Sequence, residues 1–160
     1  MAGEIVERAG GAHDLALVGI RRGGVPLAAA LARHIEELEG VRVPIGAVDI
    51  ALYRDDASTA LPKPQIGRSE IPFEVESHRI VLVDDVLYTG RTVRAALDAL
   101  LDYGRPRKIE LAVLIDRGGR ELPIQPDFVV KAAEVAAIDR IDVVSDASGH
   151  TAFVFPGPGT

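Results

Sequence analysis

Short hydrophobic runs alternate with segments of helical periodicity along most of the chain. The runs Leu15–Ile20, Ile80–Val83 and Lys108–Ile115 are rich in aliphatic and β-branched residues, which is typical of strands covered on both faces. Asp84 and Asp85 are predicted to end the second run. Because helical segments separate the strands, the pattern predicts an α/β fold with an open, mostly parallel, twisted sheet flanked by helices.

Helices are predicted after the first and second runs. The first helix is predicted to run from Val25 to about Glu39. Its hydrophobic face is formed by Leu27, Leu31, Ile35 and Leu38. The hydrophobic stripe of the second helix is formed by Val93, Ala96, Leu97, Leu100 and Leu101. Near the amino terminus, Glu4–Ala9 is predicted to be the end of a further helix that stops at Gly10.

The remaining patterned segments are extended. Val43–Tyr53 has a proline near its start, which indicates a strand start or a sheet edge. Residues 127–130 predict another short strand. Residues 140–145 and 150–155 flank an Asp-Ala-Ser-Gly sequence, which predicts a C-terminal β-hairpin. Residues 156–160 contain mostly Pro and Gly and are predicted to form a frayed tail.

Composition narrows the class of protein. The chain has 160 residues, of which 48% are hydrophobic and 26% charged, which predicts one globular domain with its own core. The net charge of −6 argues against a broad nucleic-acid-binding surface. The chain has no cysteine, an amino terminus unlike a signal peptide and no hydrophobic run near the roughly 20 residues that span a bilayer. We therefore expect a cytoplasmic protein.

Polar residues are concentrated between the second strand and its helix. The sequence Thr89–Thr92 contains a glycine and opens a helix, and such a turn presents free N–H groups to an anion. The adjacent carboxylates of Asp84 and Asp85 would repel a phosphate unless they bind something else, such as a ribose diol or a Mg²⁺ ion on a diphosphate. In the alternative interpretation, the two aspartates only cap the helix.

A second unit consisting of a strand, a glycine-containing loop and a helix has its loop within residues 20–26. Its two arginines, Arg21 and Arg22, lie beside loop amides and suit a diphosphate, although a tight turn with solvated arginines is the alternative. The polar segment from Tyr53 to about Ser69 has no periodicity of its own, which is typical of functional or disordered loops. Arg54 is a candidate phosphate contact there, and the alternative is a solvated arginine.

The segment Val81–Val93, with the sequence VLVDDVLYTGRTV, resembles the phosphoribosyl diphosphate (PRPP) motif of type I phosphoribosyltransferases. Its YTGRT part resembles the pyrimidine attenuation regulator family, PyrR, whose members are uracil phosphoribosyltransferases that also bind RNA. The resemblance implies the type I phosphoribosyltransferase fold in a single domain over residues 1–160. It also implies a flexible flap at the polar segment that follows Tyr53, and an amino-terminal helix shorter than in the family.

The resemblance further implies a set of site residues. The PRPP-binding positions are Asp84, Asp85, Val86, Leu87, Tyr88, Thr89, Gly90, Arg91 and Thr92. Asp84 and Asp85 are expected to bind the ribose hydroxyls and Mg²⁺, directly or through water, and the catalytic positions are Asp84, Asp85 and Arg54. The diphosphate loop consists of Arg21, Arg22 and Gly23, where family members often have a Thr-Arg pair at the last two positions. The base-binding positions are Tyr88, Val130 and Lys131, where the family normally has Gly-Lys at the last two.

The implied reaction converts uracil and PRPP to UMP and diphosphate. Tyr88 stands where purine enzymes usually carry an aspartate, and a pyrimidine ring N–H is acidic enough to need less help from a base. A second hypothesis is a UMP- or PRPP-responsive regulator with weak or vestigial catalysis, which binds a pyrimidine-leader mRNA and controls transcription attenuation through contacts at Arg117 and Arg120. Gly119 replaces a histidine that the family ties to RNA recognition.

A third hypothesis is a homologue that binds nucleotides without turnover. The family implies a homodimer or a larger homo-oligomer.

Overall fold

Five parallel strands form the central sheet of the computed structural model, which describes residues 1–54 and 68–158. The strands are β1 (Leu15–Ile20), β2 (Ile45–Val48), β3 (Arg79–Leu87), β4 (Lys108–Asp116) and β5 (Phe128–Ala132). Their order in the sheet is β2-β1-β3-β4-β5, so β2 is an edge strand, as Pro44 just before it predicts. The two strands β6 (Arg140–Asp146) and β7 (Gly149–Phe155) pair as the predicted antiparallel hairpin.

Helices cover both faces of the sheet, which explains why the central strands are hydrophobic without alternation. Helices α1 (Ala2–Ala9) and α2 (Gly24–Glu39) pack on one face together with Val81 and Val83 of β3. Helix α3 (Arg91–Leu101) packs on the other face with Ile80 and Leu82. Because successive side chains of a strand point to opposite faces, both faces of β3 are buried. The predicted parallel α/β architecture is confirmed.

Four details of the sequence prediction are wrong. The predicted extended stretch Val43–Tyr53 is a strand only over Ile45–Val48, because residues 51–53 form a turn in which the N–H of Tyr53 donates to the carbonyl oxygen of Ile50. Strand β3 does not end at Asp84 but continues to Leu87, because its backbone pairs with β4 as far as Asp116. Leu38 of α2 is 60% exposed, since the whole last turn of the helix, residues 36–40, is in solvent. Leu101 is the last residue of α3 and is 50% exposed. Ala95 and Ala99, which the predicted hydrophobic stripe did not include, are buried.

The topology brings the predicted site together. The carboxyl ends of parallel strands all lie at the same end of the sheet. The loops after β1, β3 and β4 are at that end. Most of the predicted flap, residues 55–67, lies outside the described residues, as do the last two residues of the predicted tail. In the described parts of the chain, every helix is too short or too polar to cross a membrane.

Candidate active site

Asp84 and Asp85 lie in the last third of β3, the middle strand, at the carboxyl end of the sheet. Asp84 is only 5% exposed, and its Oδ1 accepts a hydrogen bond from the N–H of Asp85 over 2.9 Å. Burial raises the pKa of Asp84 well above the usual value of an aspartate, and the neighbouring Asp85 carboxylate raises it further. Neither residue caps α3, because the capping position is Gly90 and the side chain that bonds to the helix start is that of Thr89, whose Oγ1 accepts the N–H of Arg91 over 3.2 Å. The capping alternative is therefore wrong.

The loop between β1 and α2 lies directly against these carboxylates. A methyl group on Gly23 would overlap with the carboxylate of Asp85, and one on Gly24 would overlap with the carbonyl oxygen of Val83. Glycines at these two positions therefore let the start of α2 approach β3 closely. The glycine at position 23, a departure from the common family sequence, thus has a steric reason in this chain.

Three arginines surround a cleft beside this loop. The cleft has a volume of about 590 Å³ and is lined by Arg21, Arg22, Asp49 and Arg54, among others. The Arg21 guanidinium lies 3.7 Å from a carboxylate oxygen of Glu70, and its buried Nε has no hydrogen-bond partner among the described residues. The peptide bond between Arg21 and Arg22 is cis. The structure therefore brings Arg54 to the two arginines of the predicted diphosphate loop.

The cleft also contains a residue that the sequence analysis missed. Asp49 directly follows strand β2, so its position at a carboxyl strand end was the available signal. Its Oδ1 accepts the N–H of Ala51 over 2.9 Å, and its own N–H donates to Oγ of Ser69 over 2.8 Å. Asp49 therefore shapes the turn that leads toward Arg54.

The predicted phosphate loop turns sharply before α3. Gly90 has a φ of +93°, a conformation that side-chain-bearing residues rarely adopt, and α3 begins at the next residue. The carbonyl oxygen of Thr89 accepts hydrogen bonds from the N–H groups of Glu121 and Leu122 over 2.9 and 3.1 Å. The first turn of α3 carries no acidic residue. A helix start with these features is suited to an anion.

Tyr88 is held from two sides. The guanidinium of Arg117 lies 4.1 Å from the center of its ring, and a methyl group on Gly119 would overlap with that ring. Arg117 is itself buried and donates to the carbonyl oxygens of Ala136 and Asp139, both over 2.9 Å. The Tyr88 ring is therefore fixed against the loop that follows β4, and Gly119 provides the space for it.

Arg120 fastens the same loop to the phosphate loop. Its guanidinium donates to the carbonyl oxygens of Ile124 and Tyr88 over 2.7 and 2.9 Å, and to the carboxylate of Asp116 over 2.7 Å. The Arg120 hydrogen bond holds the pKa of Asp116 below its usual value. Arg117 and Arg120, the predicted RNA contacts, are thus both engaged within the chain. Residues 117–120 form a loop and not a helix, so the spacing of Asp116 and Arg120 gave no signal for this contact in the sequence.

The predicted base-binding positions are less closely connected to the other site residues. Val130 is 60% exposed, and its side chain borders a cavity of about 120 Å³ together with Leu27 and His34 on the α1–α2 face. Lys131 is exposed and lies in register with Ile115 of β4. Base recognition by residues 130 and 131 therefore stays a prediction.

Comparisons with known proteins agree with this geometry. The phosphoribosyl transferase domain family matches residues 1–145. The chain is 58% identical over 141 residues to the bifunctional protein PyrR of Roseiflexus sp. (strain RS-1), covering 88% of this chain and 77% of that protein. It is 53% identical over 150 residues to the PyrR of Geobacter sulfurreducens, covering 94% of this chain and 85% of the relative.

Solved structures show the same fold. The hypoxanthine phosphoribosyltransferase of Trypanosoma cruzi superposes with a TM-score of 0.64 at 21% identity, covering 86% of this chain and 75% of that one. At this identity the likeness concerns the fold alone. The family match and the PyrR relatives cover most of the chain. The chain therefore belongs to the PyrR family and is a phosphoribosyltransferase.

Proposed function

We propose that the protein transfers the phosphoribosyl group of PRPP to uracil and releases UMP and diphosphate. The observation that carries the proposal is the contact between Gly23 of the arginine-bearing loop and the carboxylate of Asp85. This contact places a cationic cleft next to a pair of carboxylates at the carboxyl end of the sheet. A ligand that spans both must carry a strongly anionic end and a hydroxyl-rich part, as PRPP does.

The described residues divide the binding of PRPP among them. Arg21, Arg22 and Arg54 would bind the diphosphate, and the N–H groups and hydroxyls of residues 89–92 would bind the 5′-phosphate. Asp84 and Asp85 would bind the ribose hydroxyls. Because no nucleophilic side chain is needed, catalysis would come from positioning the two substrates and stabilising the departing diphosphate electrostatically.

The carboxylate pair fits a magnesium ion that arrives with its substrate. Among the described residues, no group of three or more His, Cys, Asp or Glu side chains is placed to hold a metal. Mg²⁺ is commonly held by one or two carboxylates together with substrate phosphates and water, and Asp84 and Asp85 supply two. When bound, the ion would neutralise charge on the diphosphate, while Asp84 and Asp85 would hold it directly or through water.

The choice of uracil rests on Tyr88. A tyrosine held by Arg117 offers no general base to the ring N–H of a purine, whereas the more acidic N–H of uracil has less need of one. Production of nucleotide from PRPP and uracil, orotate, hypoxanthine or adenine tests the proposal directly. We expect turnover of uracil, and preferential turnover of a purine would contradict the proposal.

A second experiment tests the roles of the aspartates. Asp85→Asn should lower kcat/KM for PRPP by about a hundredfold, because the loss concerns charge aimed at the reacting sugar. Glu37→Gln, in the exposed last turn of α2, serves as the control and should leave activity unchanged. Unchanged turnover in Asp85→Asn would refute the catalytic role and favour a homologue that binds nucleotides without turnover.

A second candidate function is RNA-binding regulation, and the observation that favours it is that the relatives are named bifunctional. Such a function would have UMP increase the affinity for a pyrimidine-leader mRNA. Arg117 and Arg120 would contact RNA only with atoms left over from their bonds within the chain. Filter binding with and without UMP tests it, and UMP-independent binding would contradict it. A homo-oligomeric state stays a prediction from the family resemblance, and a cytoplasmic location stays a prediction from the sequence.

A further inference from the structure

Tyr53, the residue before Arg54, is held at three points. Its N–H donates to the carbonyl oxygen of Ile50 over 2.9 Å, and its carbonyl oxygen accepts from Nη2 of Arg94 over 2.8 Å. Its hydroxyl is hydrogen-bonded to the carboxylate of Asp102. Its ring also packs partly against the core on the α3 face of the sheet. Tyr53 therefore cannot shift without breaking contacts with α3 and its end.

Arg54 is attached to this fixed point by a single peptide bond. Its side chain lines the same cleft as Arg21 and Arg22, where the proposed function places the diphosphate. The position of its Cα is set by Tyr53, since the carbonyl group that Arg94 holds belongs to the peptide linking the two residues. Any displacement of Tyr53 would therefore move Arg54 relative to the other two arginines.

The groups that hold Tyr53 belong to the helix that carries the phosphate loop. Arg94 lies in the first turn of α3, and its N–H donates to the carbonyl oxygen of Gly90 over 2.9 Å. Asp102 directly follows the last residue of the same helix. Helix α3 thus connects the turn expected to bind the 5′-phosphate with the residue expected to bind the diphosphate.

We propose that Arg94 and Asp102 are positioning residues that, by holding Tyr53, place Arg54 at the diphosphate end of PRPP. The identity of the ligand rests on the proposed function. Helix α3 then acts as a spacer of fixed length between the groups that bind the two phosphate-bearing ends of one substrate. Neither Arg94 nor Asp102 needs to touch the substrate for this role.

Calorimetric binding of PRPP in the presence of MgCl₂ tests the proposal without requiring turnover. Tyr53→Phe and Asp102→Ala should each weaken PRPP binding about tenfold, near the lower end of the range for losing one hydrogen bond to a charged group. Asp102→Asn retains an oxygen acceptor for the Tyr53 hydroxyl and should restore most of the affinity. The KM for uracil should stay unchanged, because only the diphosphate end is affected.

Two comparisons separate positioning from a general structural effect. In an Arg54→Ala background, Tyr53→Phe should cause no further loss of PRPP affinity, because the guanidinium that Tyr53 positions has been removed. Tyr103→Phe is the matched control: it removes a hydroxyl at the same end of α3 that bonds to Ser69 rather than to Asp102, and it should leave affinity unchanged. Thermal unfolding of each variant checks that it is folded.

The outcomes distinguish this inference from the proposed function. Wild-type affinity in Tyr53→Phe and Asp102→Ala would overturn the inference, as would an equal loss with and without Arg54. Either result would leave the proposed reaction in place if the wild-type protein converts uracil. Wild-type protein that binds PRPP but does not turn over uracil would instead refute the proposed reaction alone, and absence of PRPP binding would refute both.

Discussion

Asp84 combines a buried position with an ionisable group, since it is 5% exposed between hydrophobic strands and its pKa is raised first by burial and then by Asp85. A carboxyl whose pKa rises on folding binds protons more tightly in the folded state. Its contribution to the free energy of unfolding therefore falls as the pH rises above the usual aspartate value of 3.8. The residue that is expected to bind the ribose thus lowers stability at neutral pH.

Replacing Asp84 by Asn should stabilise the folded chain and weaken PRPP binding. Asn keeps an Oδ1 acceptor for the Asp85 N–H but carries no charge. We expect a higher Tm at pH 8, by about 2–4 °C for each kcal/mol gained, and a gain that shrinks as the pH is lowered toward 4. Thermal unfolding across this pH range measures it. A gain that is independent of pH would contradict this expectation, and the exposed Glu37→Gln should show almost no gain.

Gly23 matters for space and not for backbone conformation, since its φ of −61° is open to any residue. Gly23→Ala should cost about 1–3 kcal/mol through overlap with the Asp85 carboxylate, and it should weaken PRPP binding. Gly3→Ala is the matched control, because nothing lies within 4 Å of the added methyl group on helix α1. This control should gain about 0.5–1 kcal/mol. Urea unfolding of both variants measures the difference, and equal effects would be evidence against the close contact.

At the scale of elements, the pairing of β3 with β4 is reinforced by a buried charge cluster. Glu110 of β4 is 2% exposed and accepts hydrogen bonds from Arg79 of β3 over 3.2 and 3.3 Å, with the ammonium of Lys108 at 2.9 Å. Burial alone would raise the pKa of Glu110, but Arg79 and Lys108 outweigh it and hold the pKa below its usual value. The cluster therefore joins the amino-terminal ends of the two central strands.

Glu110→Gln should destabilise the protein by about 1–3 kcal/mol at pH 7, because the partly buried Arg79 loses the carboxylate to which it donates its hydrogen bonds. A carboxyl with a lowered pKa stabilises the fold above its unfolded pKa and loses that contribution as the pH falls through the folded value. The difference from the wild type should therefore disappear in acid. Urea unfolding between pH 7 and 3 measures it. Asp142→Asn, which breaks the exposed pair with Arg140, should change stability by less than about 0.5 kcal/mol.

At the scale of the whole molecule, the net charge of −6 limits non-specific contact with nucleic acid. Exposed cations such as Arg107 and Lys108 are paired with Asp14 and Glu110, which reduces the positive field further. We expect an unrelated RNA to be released between 50 and 200 mM salt in a filter-binding titration, because phosphate contacts are lost with counterion binding. Retention of unrelated RNA at 200 mM salt would contradict this expectation.

Much of the molecule could be predicted from local patterns. The unbroken hydrophobic runs located β1, β3 and β4, because burial on both faces leaves a strong signal in the sequence. The end of β3 could not be predicted, since Asp84–Leu87 are strand residues only through pairing with β4. The exposed Leu38 and Leu101 show the same limit, because periodicity does not reveal where a helix extends beyond the sheet.

The site was predicted as separate segments, and its assembly was not. Asp84, Asp85 and the arginine loop were recognised by the residue types that phosphate and ribose require. Their mutual contact depends on Gly23, whose lack of a side chain gave no chemical signal in the sequence. The positions of Asp49 and Arg120 followed from the register of strands and loops that are distant in the chain.

The pairing of β1 with β3 also has a consequence for how the chain folds. Leu15 is in register with Arg79, although α2, β2 and residues 55–67 lie between them in the chain. Closing so long a loop lowers the entropy of the chain before the contacts between β1 and β3 can stabilise it. In contrast, β3, α3 and β4 are neighbours in the chain and can associate locally. We expect the β3–α3–β4 unit to gain protection from hydrogen exchange before β1 joins it during refolding. The carboxylates would then be in place before the arginine loop reaches them, and substrate binding would be the last property to be recovered.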